Sequence, residues 1–311
     1  ATLASYITQT ISTYFLQSYR PKVSFAFHNL KELVHYSKWI IGQGWLDKLY
    51  GFLETSIIAR LTNASSLGLY GKAKNMASVI PGFIGPTIRM ISFPAYSKIQ
   101  NNTEKINEGL IKSLQVICFL LIPTTILLIF GADKIILILL NKDWIQMASI
   151  LQIMLIYHFL GTINEAVNSI FNAVGHPEKQ VKIDTFKILL TIPLLFFLTA
   201  QFGIVGAGIA LVVGILPVII LNIYNIIQLT KVRLLDILST IVTPLVSTII
   251  VTIPIIIYKK YILQMSLPIS LSLIVLAGIL YLSIIYFTDK FWNRGPYKTI
   301  MLIIKHNIKK V

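Results

Sequence analysis

The sequence predicts an all-α polytopic membrane protein, and three observations predict it. Of 311 residues, 55% are hydrophobic and only 13% are charged, whereas a soluble domain carries about 25% charged residues. The mean hydropathy of +0.76 excludes an ordinary soluble enzyme, and it excludes a disordered chain as well, because disorder needs low hydrophobicity. The apolar stretches have lengths suited to a hydrocarbon core of about 30 Å, which takes about 20 residues of helix. None alternates with the period of two that a membrane β-barrel requires, and helices are the other structure that satisfies every backbone group in lipid.

Taken in order, a partial span covers 1–17 and a cytoplasmic loop covers 18–33. Spans follow near 34–60, 68–98, 109–130, 146–174, 180–201 and 204–230, so that 34–230 reads as a six-helix bundle lining a cavity. Two additional spans lie near 235–259 and 266–287, and 288–311 is a basic tail. This gives eight whole transmembrane helices plus a partial one. Sidedness comes from Lys and Arg. One set of loops and the tail hold Arg20, Lys22, Lys31, Lys98, Lys105, Lys112, Lys179, Lys182, Lys187, Lys231, Arg233, Lys290, Arg294, Lys298, Lys305, Lys309 and Lys310. The opposite loops hold Lys134, Lys142, Lys259 and Lys260. A bias of 17 to 4 places the first set in the cytoplasm. The net charge of +15 therefore reads as membrane sidedness, with no nucleic-acid partner implied. Cys118 is the single cysteine, so neither a disulfide framework nor a cysteine metal site is available. The chain begins Ala1-Thr2-Leu3 without a basic leader and reads as a piece cut from a longer chain.

Pro81, Pro86 and Pro94 interrupt one span, beside Gly82 and Gly85, and Pro123, Pro193, Pro217, Pro244 and Pro254 interrupt others. Membrane helices tolerate proline, but three in one span predict a bent helix.

Polar residues in mid-bilayer cost several kcal/mol and usually face a hydrated route. Three spans carry such faces. In 34–60, Tyr36, Gln43, Asp47, Tyr50 and Glu54 fall within about 60° at 100° per residue; the alternative is pairing with neighbouring helices. In 68–98, Lys72, Asn75, Ser78, Gly82, Pro86 and Arg89 spread over about 120°. Arg89 is the deeper cation, with a planar fork suited to phosphate, or else an ion-pair partner for Asp47 or Glu54. Lys72 and Lys74 are read as snorkelling to the outer interface. In 146–174, His158, Thr162, Glu165, Ser169 and Asn172 share a face, with Gly161 and Asn168 at its edge. Glu165 is a candidate for binding a proton or Na⁺, or for hydrogen bonding between helices. His158 reads more simply as structural. Residues 188–225 and 237–257 contain no charge and look like lipid-facing scaffold.

Other signals carry less. Gly203, Gly206 and Gly208 lack dinucleotide-loop spacing and read as close helix packing. Asn63-Ala64-Ser65 matches a glycosylation acceptor of the kind that arises by chance. Phe291-Trp292 with the basic tail resembles an interfacial segment for anionic lipid heads.

Several motifs together do more. Glu54 precedes an apolar run, followed by Leu67-Gly68-Leu69-Tyr70, Ala73, the proline-rich span and Phe93-Pro94-Ala95-Tyr96-Ser97-Lys98. Asn141-Lys142-Asp143-Trp144, Asn172-Ala173-Val174-Gly175-His176 and Ser18-Tyr19-Arg20-Pro21 stand at matching places. Over residues 15–230 the sequence resembles the polysaccharide-transporter (Wzx-type) oligosaccharide flippase family. That family belongs to the superfamily that also holds multidrug and toxin extrusion (MATE) transporters and the lipid II flippase. The sequence departs from the family at Glu54, where Asp is expected, and at Asn141, where Gly is expected.

The resemblance implies a MATE/flippase-like C-terminal bundle, from the end of helix six through helix fourteen, in the bacterial cytoplasmic (inner) membrane. It implies ion-coupled alternating access that moves polyprenyl-diphosphate-linked oligosaccharide for surface polysaccharide such as O-antigen. An H⁺ or Na⁺ gradient would drive it, with no cofactor and no catalytic residue. Membrane lipids are implied partners, as are a polysaccharide polymerase and chain-length machinery. Gln43, Tyr50, Lys72, Asn75, Arg89 and Asn168 would then line the substrate cavity, with Arg89 and Lys72 attracting the diphosphate. Asp47, Glu54 and Glu165 are the candidates for ion coupling. The alternative in the same superfamily is a cation-coupled multidrug exporter, for which a more acidic cavity is expected. A membrane glycosyltransferase or polymerase would be expected to have large loops, and a non-transporting scaffold is the remaining class.

Overall fold

The computed structural model describes residues 2–16, 30–257 and 267–292, and all of the described structure is helical apart from short turns. The loop expected at 18–33 and the tail at 288–311 lie largely outside these residues. The chain divides into two units, 1–38 and 39–311. The first holds α1 (Thr2–Leu16) and the opening of α2 (Leu30–Leu61). In α1 the Thr10 and Thr13 hydroxyls donate to the carbonyls of Tyr6 and Gln9 at 2.8 and 2.7 Å. Such back-bonding lets a hydroxyl sit on an apolar helix at little cost.

The second unit contains the rest of α2, then α3 (Ala64–Lys98), α4 (Thr103–Leu139), a 3₁₀ turn (Lys142–Met147), α5 (Ala148–Ala173), α6 (Pro177–Thr230), α7 (Leu234–Ile257) and α8 (Leu267–Trp292). Among the described residues, five helical segments, α3, α4, the 3₁₀ turn continued by α5, α6 and Leu234–Pro254, are long and apolar enough to cross a membrane. Asparagines start three of the elements. Asn63 Oδ1 accepts from Ser66 N at 2.8 Å, Asn102 Oδ1 from Lys105 N at 3.0 Å and Asn141 Oδ1 from Asp143 N at 3.0 Å. Each occupies a helix's orphan amide, the usual work of an N-cap. Both the apparent glycosylation acceptor and the departure at Asn141 thus have a local structural reason.

α6 covers 54 residues but is not straight. Gly203 has φ 61 and ψ −144, a conformation open in practice only to glycine. Beyond it the chain folds back. A side chain at Gly206 would strike the Leu198 carbonyl, and one at Gly214 would strike Thr191. In a straight helix Thr191 and Gly214 would stand about 34 Å apart at 1.5 Å per residue. α6 is therefore a hairpin of two apolar legs whose crossing is made close by small residues.

α5 is the central helix, packed against α3, α4 and α6, while α4 also carries α7, which carries α8. The interior falls into two apolar clusters. One gathers Tyr70, Ala73, Ile136, Met147, Met154, Leu195 and Leu211 from α3 to α6. The other gathers Tyr96, Leu110, Leu114, Ile170, Phe171, Ile226 and Ile237 from α3 to α7. Large apolar side chains such as Phe83, Met90, Phe196, Phe197, Phe202 and Ile220 point outward. In water they would form an aggregating patch; on membrane helices they are the surface that meets lipid.

Polar ties join the helices where backbone groups are free. Pro123 cannot donate to the Phe119 carbonyl one turn earlier, and the Tyr281 hydroxyl of α8 donates to that carbonyl at 2.9 Å. Gln152 Nε2 donates to Ile129 O at 2.9 Å, Asn222 Nδ2 to Asn164 Oδ1 at 2.7 Å and Asn107 Nδ2 to Thr230 O at 2.8 Å.

Candidate functional site

Several of the charged and amide side chains inside the bundle meet along one seam, formed by α2, α3, α5 and the first leg of α6. Two of these helices carry the same polar spacing. On α2 it is Gln43, Asp47, Tyr50 and Glu54; on α6 it is Gln180, Asp184, Lys187 and Thr191. Steps of four, three and four residues keep four side chains on one face over three turns.

Glu54 occupies one end of the seam. It is only 1% exposed. Its Oε1 accepts the Tyr70 hydroxyl at 2.6 Å and forms an ion pair with Lys74 Nζ. A carboxylate out of water needs such partners. Its second oxygen, Oε2, has none, and neither do the nearby His158 Nε2, Tyr50 Oη and Thr191 Oγ1. The His158 ring stands edge-on to Tyr157 at 5.3 Å between centroids.

The middle of the seam holds Arg89 and Glu165, joined at 2.6 Å between Nη1 and Oε1. Gly85 makes room for this pair, since a Cβ there would stand 2.8 Å from Glu165 Oε2. Arg89 is the more open partner, with 55% of its side chain exposed against 31% for Glu165. Asp47 is exposed and lies within electrostatic reach of Lys187 and Arg89. The Lys187 ammonium sits 4.6 Å over the Tyr50 ring, a cation–π contact. At the other end, Asn172 Nδ2 faces Gln43 Oε1 at 3.5 Å, and Gln180 Nε2 donates to Asp184 Oδ1 at 2.9 Å. Asn168 Oδ1 is buried without a partner.

The structure brings Gln43, Asp47, Tyr50, Glu54, Arg89, Glu165 and Asn168 to this seam. It does not bring Lys72, which is exposed and lies about 160° around α3 from Lys74 at 100° per residue; Asn75 is exposed too. Two expectations change. Lys74, read as a snorkelling lysine, turns inward to Glu54. Arg89 pairs with Glu165 rather than with Asp47 or Glu54. Sequence reasoning missed Lys187, Asp184, Gln180 and Tyr157. Charge counting assigns Lys187 to the cytoplasmic set, although its spacing with Gln180, Asp184 and Thr191 matches that of the α2 face. Among the described residues no three His, Cys, Asp or Glu side chains group as a metal site.

Comparison with known proteins bears on this arrangement. A family profile described as "Polysaccharide biosynthesis protein" matches residues 1–149. The "Lipopolysaccharide biosynthesis protein WzxC" of Escherichia coli (strain K12) is 25% identical over 256 residues, 82% of this chain and 47% of that protein. The chain is thus similar to proteins of polysaccharide biosynthesis. The "Teichuronic acid biosynthesis protein TuaB" of Bacillus subtilis (strain 168) is 21% identical over 187 residues, 60% of this chain and 38% of TuaB. The chain thus matches less than half the length of either protein. Among solved structures, "Lipid II flippase MurJ, inward closed conformation" superimposes with a TM-score of 0.65 at 15% identity, over 88% of this chain and 57% of the other. A "multidrug resistance MATE family transporter of the MOP superfamily" gives 0.54 at 16%, over 78% and 58%. The fold is shared with these solved transporters, and the chain is a multi-pass membrane protein.

Proposed function

We propose that the chain is the C-terminal part of a flippase that carries lipid-diphosphate-linked oligosaccharide across the bacterial cytoplasmic membrane for surface polysaccharide synthesis, by ion-coupled alternating access. In this reading eight whole spans and a partial one are present, the tail is cytoplasmic, and an H⁺ or Na⁺ gradient supplies the energy. The observation that carries it is the Arg89–Glu165 pair in a seam of amides and tyrosines, inside a bundle whose outer surface is apolar. A diphosphate head needs cations and hydrogen-bond donors away from lipid, while its polyprenyl tail remains in the bilayer.

Arg89 takes the diphosphate. Gln43, Tyr50 and Asn168 bond sugar hydroxyls, with Lys72 and Asn75 acting at the exposed margin of α3. Asp47, Glu54 and Glu165 are the carboxylates on which ion coupling rests. Relatives named "Putative O-antigen transporter" and "Probable flippase AglR" support the substrate class. The polymerase and chain-length machinery would receive the product.

The test is polymer export in cells whose full-length flippase carries Arg89→Ala. Export should fall about tenfold or more, the cost of one charge-assisted contact, with lipid-linked oligosaccharide accumulating inside. Unchanged export would remove Arg89 from the route. Export of cationic dyes without any effect on polymer would favour a multidrug exporter.

A further inference from the structure

Lys187 belongs to no role given so far, and its surroundings are unusual. It sits on the α6 face that matches the α2 polar face, partly buried over the Tyr50 ring. Among the described residues no carboxylate lies within ion-pair distance of its Nζ, although Asp184, Asp47 and Glu54 all act on it from further away. The charge is thus balanced by the region rather than by a partner. Its three N–H donors are uncommitted, a costly state for an ammonium inside a membrane protein. Arg89, the other cation acting on Asp47, meets Glu165 through Nη1, and a guanidinium offers five donors in a fork. Asp47 is therefore within electrostatic reach of two cations, Arg89 from α3 and Lys187 from α6.

We propose that Lys187 and Arg89 form a two-point clamp for a diphosphate, one cation per phosphate, and that Asp47 and Glu165 stand in for the phosphates when the site is empty. The inference rests on the flippase reading and adds to it a binding residue and a discrimination rule. A diphosphate engages both cations and displaces both stand-ins, whereas a monophosphate engages one. Release of Glu165 by the incoming phosphate also frees a carboxylate for the coupling ion at the moment the head group arrives.

The experiment measures binding of a polyprenyl diphosphate, the matching polyprenyl monophosphate and inorganic pyrophosphate to the purified full-length protein in nanodiscs. Wild type should prefer the diphosphate, and pyrophosphate should compete, because the clamp touches the head group alone. Lys187→Gln should bind the diphosphate about tenfold more weakly, as expected for one lost charge-assisted contact, and no better than the monophosphate. Lys187→Arg should keep the preference. Asp47→Asn, at an exposed position that tolerates change, should bind the diphosphate more tightly because a competitor for the cations is gone. An intact preference in Lys187→Gln, weaker or unchanged binding in Asp47→Asn, or failure of pyrophosphate to compete would each overturn the clamp while leaving the flippase reading standing. Wild type that binds neither lipid would overturn both.

Discussion

Two regions of the bundle handle polar atoms in opposite ways. In the wing built from α7 and α8, most hydroxyls bond within their own helix. Along α7, Thr240, Thr243, Ser247, Thr248 and Thr252 each donate to a carbonyl three or four residues back on the same helix. The one described tie of this kind between α8 and α4 uses a carbonyl already freed by Pro123. In the seam between α2, α3, α5 and α6, polar groups reach across helices and stop short of completion. Glu54, Tyr50, His158, Asn168 and Thr191 all keep a buried atom without a partner. A completed hydrogen-bond ledger makes a scaffold, because every polar group is spoken for. An incomplete one is maintained at a cost in desolvation.

The contrast can be broken by mutation. The largest effect should come from Glu54→Gln, which leaves Lys74 without its carboxylate. Breaking a buried pair from one side costs about 3 kcal/mol or more, read as a lower thermal midpoint of the purified protein. The double change Glu54→Gln with Lys74→Met should recover most of that loss, and failure to recover would show that Glu54 matters for something besides the pair. A smaller effect is expected from Tyr281→Phe in the wing, about 1 kcal/mol for one hydrogen bond to a free carbonyl, with polymer export unchanged. The smallest should come from Thr243→Val, within about 0.5 kcal/mol, because its hydroxyl bonds the Ser239 carbonyl of its own helix. A large loss of export from either wing change would erase the distinction between the two regions.

Much of the seam was legible because helix periodicity is local. Gln43, Asp47, Tyr50 and Glu54 share a face by arithmetic alone, as do Glu165, Asn168 and Asn172. The division between 201 and 204 was also legible, although Gly203, read as a helix-packing residue, is the turn itself. On α3 the same arithmetic chose a face containing Lys72 and Asn75, while the packed face is centred on Tyr70, Lys74 and Gly85. Period and composition give the polar positions of a helix, but not which of two adjacent polar faces a neighbour will cover. The first turns of α6 were misjudged for a related reason. Lys179, Lys182 and Lys187 all fit a loop by charge count, yet Lys187 lies three residues after Asp184, inside the bundle.

By itself the sequence determined that the chain crosses a membrane as helices, where most of them begin and end, and that carboxylates, amides and Arg89 lie along a few faces. These follow from hydropathy, capping and the 3.6-residue turn, all of which act within about one helix. The tertiary structure decided that Arg89 takes Glu165, that Lys74 takes Glu54 and that Lys187 is left over Tyr50 without a carboxylate of its own. Those choices depend on helix rotation and crossing, which are set by close packing between different helices, and no local pattern encodes them.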